Sequence, residues 1–527
     1  MIKRLICAVL VLALAGSLWY VAGTTDDPMY SDEITDETGV PAADEAGTES
    51  VSYVDDGSLT LWYTDEALTD YLSSVALSFQ QDQGIKVNIV LKDGVMFLES
   101  INDSSLEEPA DRTEPMPDLY ITSHDNLLKA YLAGLASIIS DPEQVVTEEM
   151  YPLTSINAVT CYDHLVAYPL YYETNFFLYN KTYMASIAQN RIEAEADIIE
   201  GEEATKELLE NGEPEEAAEE TQTDLSEVAE EDYESANPMG EEDSTADQEV
   251  LERLATMIPQ TIEDIKTFAN NYDAPEAVES VFKWDVTDIF YNYFFVGNYM
   301  DVGGAHGDNA SIFNIYNSQA VECLRAYQAM NQFFSIDPKV DNYNSILQDF
   351  IDGKMVFTVA TTDAIARIHE AKNRGEFDFE YGVSTLPDIS SLLKARGLSV
   401  TDAVVINGYS EKKDTANRLA TYLANYKASD LYMRSGKVSC CKGVEYEDSE
   451  IANVMAEYEK SMPLPKMVEA SNYWVQLEIA FTKVWKGADP DETLKELSDT
   501  IGAQIEEIRA NLPTQESFGV GGGSYVK

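Results

Sequence analysis

Residues 165–184 read LVAYPLYYETNFFLYNKTYM, and within them one carboxylate, Glu173, stands among Tyr168, Tyr171 and Tyr172. A carboxylate accepts hydrogen bonds and aromatic rings cover apolar ring faces, so this set suits a cleft that grips a polar, hydroxyl-rich ligand. The same residues fit an ordinary edge strand with one solvated acid. Glu173 paired with a second acid, Asp65 or Asp285, also has the makings of a glycosidase pair. That chemistry needs two carboxyls at a defined separation across the scissile bond, and a chain with 95 acidic residues supplies pairs at random.

Two short apolar runs, 165–170 and 175–179, flank Glu173 and predict two strands. Earlier in the chain, Leu59, Leu61 and Tyr63 alternate with Thr60 and Trp62, a strand pattern. Thr64 and Asp65 then offer N-cap oxygens to a helix with Leu68, Leu72, Val75 and Phe79 on its apolar face. Gly84 ends it and 85–91 alternates again. Strand, helix, glycine, strand is a βαβ unit, hence a parallel sheet with a right-handed crossover. Ligands of such sheets sit beyond the carboxyl ends of the strands, which singles out Trp62, Asp65 and Glu66. Likewise 118–122 predicts a strand with Asp125 at its carboxyl end, as ligand contact or as cap of the helix opening at Asn126.

Composition excludes other chemistry. A formal net charge of −61 repels phosphate backbones, so nucleic acid is not a partner. The four histidines (His124, His164, His306, His369) are scattered with no zinc spacing, and no cofactor motif appears. Five cysteines form no spaced framework; Cys161, Cys323, Cys440 and Cys441 read as small buried side chains or free thiols.

Lys3 and Arg4 precede an apolar stretch over 5–22, so residues 1–23 read as a signal peptide or an uncleaved membrane anchor. Cys7 lies too early for lipoprotein processing. Residues 24–57 are acidic and read as a flexible tether, and 513–527 as a flexible tail. Residues 191–253 hold 25 acidic side chains against three basic ones. This acidic insertion, 185–255, is expected to be solvated, with a polar helix over 192–209.

The pattern A-Y-P-x-x-x-E-x-x-x-x-x-Y-N-K at 167–181 resembles the first inter-lobe crossover of extracellular solute-binding proteins, most closely the maltose-binding branch of the carbohydrate-binding group. Further resemblances follow in order: P-x-T-I-E-D-I at 259–265, G-K-M-V-F at 353–357, Y-G-V-S-T-L-P at 381–387, and P-K-M at 465–467 with Tyr473-Trp474 downstream. Thr261 and Asp264 have the spacing of a capping box, and Asp489, Pro490 and Glu492 open a last helix. The aromatic run 281–300 reads as a helical stripe, most of it core. The resemblance implies that its start lines the sugar cleft, giving Trp284, Asp285 and Tyr291 as candidates, and that Trp474, with Tyr473 beside it, stacks on sugar. It also implies a ligand-contacting acid at Asp125, where Asn126 replaces the arginine that many maltose binders carry next. Asp363 stands where they usually place a tryptophan.

The resemblance implies an α/β, type II periplasmic-binding-protein fold: two lobes with a hinge and an inter-lobe cleft. The expected N-terminal lobe is 58–172 plus 404–440 and the C-terminal lobe 176–398 plus 445–512. Crossings are placed near 172–175, 399–403 and 439–444. The implied protein is a monomeric, extracytoplasmic receptor, secreted or tethered to the outer face of the membrane. It closes over a carbohydrate and delivers it to the membrane subunits of an ABC importer, breaking no bond. Ligand-binding candidates are Trp62, Asp65, Glu66, Asp125, Tyr172, Glu173, Trp284, Asp285, Tyr291, Asp363, Tyr473 and Trp474. A cationic solute such as a polyamine is the minor alternative, favoured by Asp65, Asp125, Glu173 and Asp363.

Overall fold

A computed structural model describes residues 57–108, 112, 114–139, 145–210 and 244–511. The N-terminal apolar stretch with Cys7, the tether up to residue 56, the middle of the acidic segment and the C-terminal tail lie outside these residues. Among the described residues no helix is long and apolar enough to cross a membrane.

Thirteen strands are described: β1 (Leu59–Tyr63), β2 (Val87–Leu91), β3 (Leu119–Ser123), β4 (Thr160–Cys161), β5 (His164–Leu165), β6 (Ala167–Asn180), β7 (Ser280–Lys283), β8 (Asp301–Val302), β9 (Phe313–Asn314), β10 (Met355–Thr361), β11 (Tyr381–Ser384), β12 (Leu398–Ile406) and β13 (Met462–Pro463). Nine of them form one sheet in the order β2-β1-β3-β12-β6-β10-β7, with β11 on β6 and β13 on β12. The first βαβ unit forms as its sequence dictates. Leu59 pairs with Val87 in parallel, and Gly84 closes the intervening helix (Thr69–Gln83) at φ 70°, a left-handed cap that costs glycine nothing.

The two runs flanking Glu173 are one strand, not two. β6 runs unbroken for 14 residues, pairing with β12 over 167–174 and with β10 and β11 over 175–180. Its polar middle, Glu173-Thr174-Asn175, marks the passage from one half of the sheet to the other, so it interrupts the apolar pattern without ending the strand. A register shift opposite Asp402/Ala403 leaves Leu170 as an extra residue on β6. Pro169 beside it illustrates why proline inside a sheet is found at bulges.

Each half of the sheet carries its own apolar layers. Leu61, Leu72, Phe79 and Leu419 pack on one face of the first half, Trp62, Tyr120 and Val405 on the other. In the second half, Phe282, Trp284, Tyr327 and Trp485 form one layer, and Phe176, Leu347, Ile365 and Tyr458 the opposite one. The aromatic run 281–300 is not a helical stripe: it is β7, a four-residue helix (Ile289–Asn292) and a 3-10 turn (Tyr293–Phe295). Bulky side chains fill a core in strand and turn alike, so their density does not fix the conformation. Thr261 and Asp264 form the expected capping box, with reciprocal bonds of 3.1 and 2.8 Å. The four described cysteines are buried free thiols.

The acidic segment is anchored by a pair of helices, Lys181–Glu210 and Ser244–Met257. Met184, Ala188 and Leu254 enter the core. Further out, Arg253 pairs with Glu195, while Ile198 and Ile199 are 52% and 57% exposed. Joining Glu195 to Arg253 through a short Gly/Ser linker is therefore expected to move the thermal midpoint by no more than about 2–4 °C, the shift of a ~1 kcal/mol change. Differential scanning calorimetry checks this; loss of a cooperative transition would show that the excised segment supports the lobe.

Candidate functional site at the strand crossing

Strand periodicity decides which side chains meet. Successive residues of a strand point to opposite faces, so Tyr171 and Glu173 share one face of β6 and Tyr172 takes the other. Asp402 pairs with Tyr171 across the ladder and joins that face. Asp65 follows the carboxyl end of β1, where one carboxylate oxygen caps Ala67 N at 3.0 Å. Asp125 follows the carboxyl end of β3 and accepts from the Ser123 hydroxyl at 2.5 Å.

Two of these acids, Asp65 and Glu173, meet at a residue that sequence reasoning missed. Lys437 Nζ lies 2.9 Å from Asp65 Oδ2, 3.4 Å from Glu173 Oε1 and 5.1 Å from the centre of the Tyr171 ring. Burial pushes the carboxyl of Asp402 up to about 7, and the neighbouring Glu173 charge adds to the shift. Among the described residues no hydrogen bond uses Glu173 Oε2 or Asp125 Oδ2, so two acceptors at the crossing face no donor. Lys437 stands two residues before the crossing placed at 439–444. A lone lysine there carries no local pattern, and only the tertiary approach to Glu173 reveals it.

His124 braces this floor. Thr401 N–H donates to Nδ1 at 3.0 Å, which puts the ring proton on Nε2, where it donates to the Leu464 carbonyl at 3.0 Å. Complete burial, then the Lys466 charge, pushes the imidazole down to about 4. Lys466 is itself buried, donates to the carbonyls of Asn157 and Ala158 at 2.8 Å each, and is lowered by burial to about 8.

A second group faces the crossing from the other half of the sheet. Thr361 pairs with Asn175 and the Thr362 hydroxyl reaches the Tyr172 carbonyl at 3.5 Å, which brings Asp363 level with the crossing. Asp363 accepts from the Tyr343 hydroxyl at 2.6 Å and lies 3.6 Å from Arg367. Tyr343 stacks on Tyr291 with ring centres 4.8 Å apart.

The other candidates stand elsewhere. Tyr172 is buried and stacks on Tyr458, ring centres 3.8 Å apart, on the face away from Glu173. Trp62 lies in the core beneath Lys92, whose Nζ is 4.0 Å above the ring. Trp284 is fully buried. Asp285 holds a loop, accepting from Thr287 and from Tyr343 N. Tyr473 is buried with its hydroxyl 3.5 Å from Met300 Sδ. Glu66 is exposed beside Asp65. Trp474 is half-buried, packed edge-on against Tyr293 at 5.4 Å. The Tyr293 turn follows the short helix Ile289–Asn292, whose Phe290 carbonyl accepts from Asn175 Nδ2 at the crossing. A pocket of about 490 Å³ lined by Asn157, Asn298, Asn317 and Arg396 contains none of the candidates. The crossing, where charged and aromatic groups from both halves converge beyond strand ends, has the stronger claim to a ligand.

A continuous strand, β6, shared by two covered half-sheets, with a polar crossing between them, decides the architecture. The chain has the type II periplasmic-binding-protein fold. It superposes on the extracellular solute-binding protein from Staphylococcus aureus in complex with maltose with a TM-score of 0.60 at 18% identity, covering 86% of this chain and all of that one. For the maltose-binding periplasmic protein from Listeria monocytogenes in complex with maltose the values are 0.61 and 19%, covering 86% and 99%. A cyclo/maltodextrin-binding protein complexed with maltotetraose gives 0.60 and 16%, covering 88% and 100%. In sequence the chain is 26% identical over 133 residues to the galactooligosaccharide-binding protein of Bacillus subtilis, a match spanning 24% of this chain and 32% of that protein. No protein-family model matches the chain.

Asp402 sets a pH dependence. Between about 4 and 7 the folded chain holds the Asp402 proton that the unfolded chain has released. Its contribution to stability therefore falls as pH rises through that window. His124 acts in the opposite sense but is common to parent and variant. Asp402→Asn is expected to gain on the parent in urea midpoint as pH goes from 4.5 to 7.5, by roughly the 1 kcal/mol per unit scale of such shifts. A difference independent of pH would show that the carboxyl titrates normally.

Proposed function

We propose that this protein is an extracytoplasmic solute-binding protein that captures an oligosaccharide by closing its two lobes over the strand crossing and delivers it to an ABC importer. The observation that carries this reading is the meeting, at one crossing, of acceptor carboxylates (Asp65, Asp125, Glu173) with a partly exposed aromatic ring, Tyr343, which stacks on the buried Tyr291. Hydroxyl-rich rings need both. Closure would hinge on β6, the strand that pairs in both halves, since a small twist at 173–175 moves one half as a body. The solved structures of this fold named above hold maltose or maltotetraose, and the curated relative is named for galactooligosaccharides, which supports a glycan over a peptide.

Binding without bond cleavage fits the placement of the acids. Asp65 and Glu173 share one ammonium and so face the same point, whereas a hydrolytic pair must stand on either side of a scissile bond. The apolar segment 5–22 supports export, with the protein secreted or tethered to the outer face of the membrane. A calorimetric panel of maltodextrins and galacto-oligosaccharides, with chromatography of the sugar after incubation, tests the reading. Saturable binding with the sugar recovered intact is expected. Released product, or silence with every glycan and a response to peptides, would overturn it.

A further inference from the structure

We propose that Lys437 sets the ligand class of this cleft: its ammonium occupies the place where a cationic solute would be neutralised, and so reserves the crossing for neutral, hydroxyl-rich solutes. This deepens the carbohydrate reading above and rests on it for the identity of the site.

The geometry is that of a built ammonium site already filled from within the chain. Asp65 and Glu173 each offer an oxygen to Nζ, at 2.9 and 3.4 Å, and the Tyr171 ring lies 5.1 Å away on the same side. Carboxylates with an aromatic face are what a free alkylammonium would also seek. The lysine is held there by its backbone. Gly436, at φ 69°, ends the helix Ala428–Ser435 through a 2.7 Å bond to the Tyr432 carbonyl. Next along the chain, the Val438 carbonyl accepts from Tyr172 N at 3.2 Å. With both neighbours fixed, the side chain projects into the cleft at little entropic cost. A side chain at Gly436 would press on Ala366 at 3.2 Å, so the turn is tightly packed as well as left-handed.

One ammonium among three carboxylates (Asp65, Asp125, Glu173) leaves the cleft acidic, yet it takes the best-coordinated cation position. The acceptors still open, Glu173 Oε2 and Asp125 Oδ2, suit hydroxyl donors, and Lys437 itself can donate a hydrogen bond to a sugar oxygen. Without the lysine the same oxygens and ring would face a cation directly, and like-charge repulsion among the acids would favour taking one up.

The test titrates the full-length parent, Lys437→Met and Lys437→Arg with maltotriose, a galacto-oligosaccharide mixture and spermidine, using calorimetry. The parent is expected to ignore spermidine. Lys437→Met should bind spermidine about tenfold or more tighter than the parent and lose sugar affinity by a similar factor, the scale expected for charge-assisted contacts. Lys437→Arg should keep the parent's preference. A purely structural lysine would lower sugar affinity without creating a spermidine response, and that result overturns the proposal, as does spermidine binding by the parent. Should Lys437→Met misfold, Lys437→Gln carries the same expectations with a smaller change in polarity. If the parent binds neither sugar, the carbohydrate reading fails, while the spermidine arm still decides the role of Lys437.

Discussion

Trp284→Ala is expected to cost the folded chain about 3–5 kcal/mol, the range for removing a large aromatic from a close-packed core. The indole is fully buried, stacked on Phe282 at 5.0 Å and met edge-on by Trp485 at 5.7 Å. Its Nε1 donates to Asn292 Oδ1 at 2.9 Å. The Asn292 amide in turn donates to the carbonyls of Asp285 and Asp288, at 3.0 and 2.6 Å. Alanine would leave a cavity and strip the donor from a buried acceptor, adding roughly 1–3 kcal/mol of desolvation where no water replaces it. The turn that carries Tyr291 would loosen with it. Urea denaturation should show the lower midpoint. Sugar affinity, measured at low temperature where the variant is folded, should change little. A collapse of affinity with unchanged stability would instead place Trp284 against the ligand, as the resemblance implied.

The contrast between Trp284 and Glu173 shows what could be read from sequence. Local pattern fixed what local physics controls: the alternation of 59–63, the left-handed stop at Gly84, the reciprocal caps of Thr261 and Asp264. Parity along β6 was also legible. Adjacent strand residues cannot share a face, so Tyr172 and Glu173 could not both line one cleft, and Tyr171 is the ring on the acid's side. Other features depend on tertiary approach. Aromatic density over 281–300 identified a core without distinguishing strand and turn from helix, because packing rewards bulk in either. Lys437 and Asp402 join Glu173 from segments more than 200 residues away, and neither stands in a pattern that marks it. The continuity of β6 was hidden because the residues that serve the crossing are polar, the signature by which strand ends are normally read.

The crossing itself is tested by two substitutions that act through different physics. Glu173→Gln keeps shape and one acceptor oxygen but removes the charge paired with Lys437 at 3.4 Å. With both side chains partly solvated, the ion pair adds little to stability, about 0–1 kcal/mol, so folding should be nearly unaffected. Sugar affinity should fall by about 1–3 kcal/mol, because a charge-assisted acceptor becomes a neutral one and the freed ammonium is left without one of its two close partners. Trp474→Ala removes an indole that is half-buried, met edge-on by Tyr293 at 5.4 Å and at a tilt by Tyr473 at 5.0 Å. If its open surface stacks on sugar, affinity drops by roughly 1–3 kcal/mol through lost apolar contact; if it only packs the turn, stability falls and affinity does not. Calorimetry and thermal unfolding on the same samples separate these results. The order of the two effects is informative as well. A neutral sugar gripped at the crossing should respond to Glu173→Gln within that range, and to Trp474→Ala only where it extends from the crossing to the indole, whereas a cation would respond far more to the lost carboxylate. Should neither substitution alter affinity, the ligand does not sit at the crossing. The polar pocket around Asn317 and Arg396 then becomes the place to mutate next, and the reading of Lys437 falls with the site it depends on.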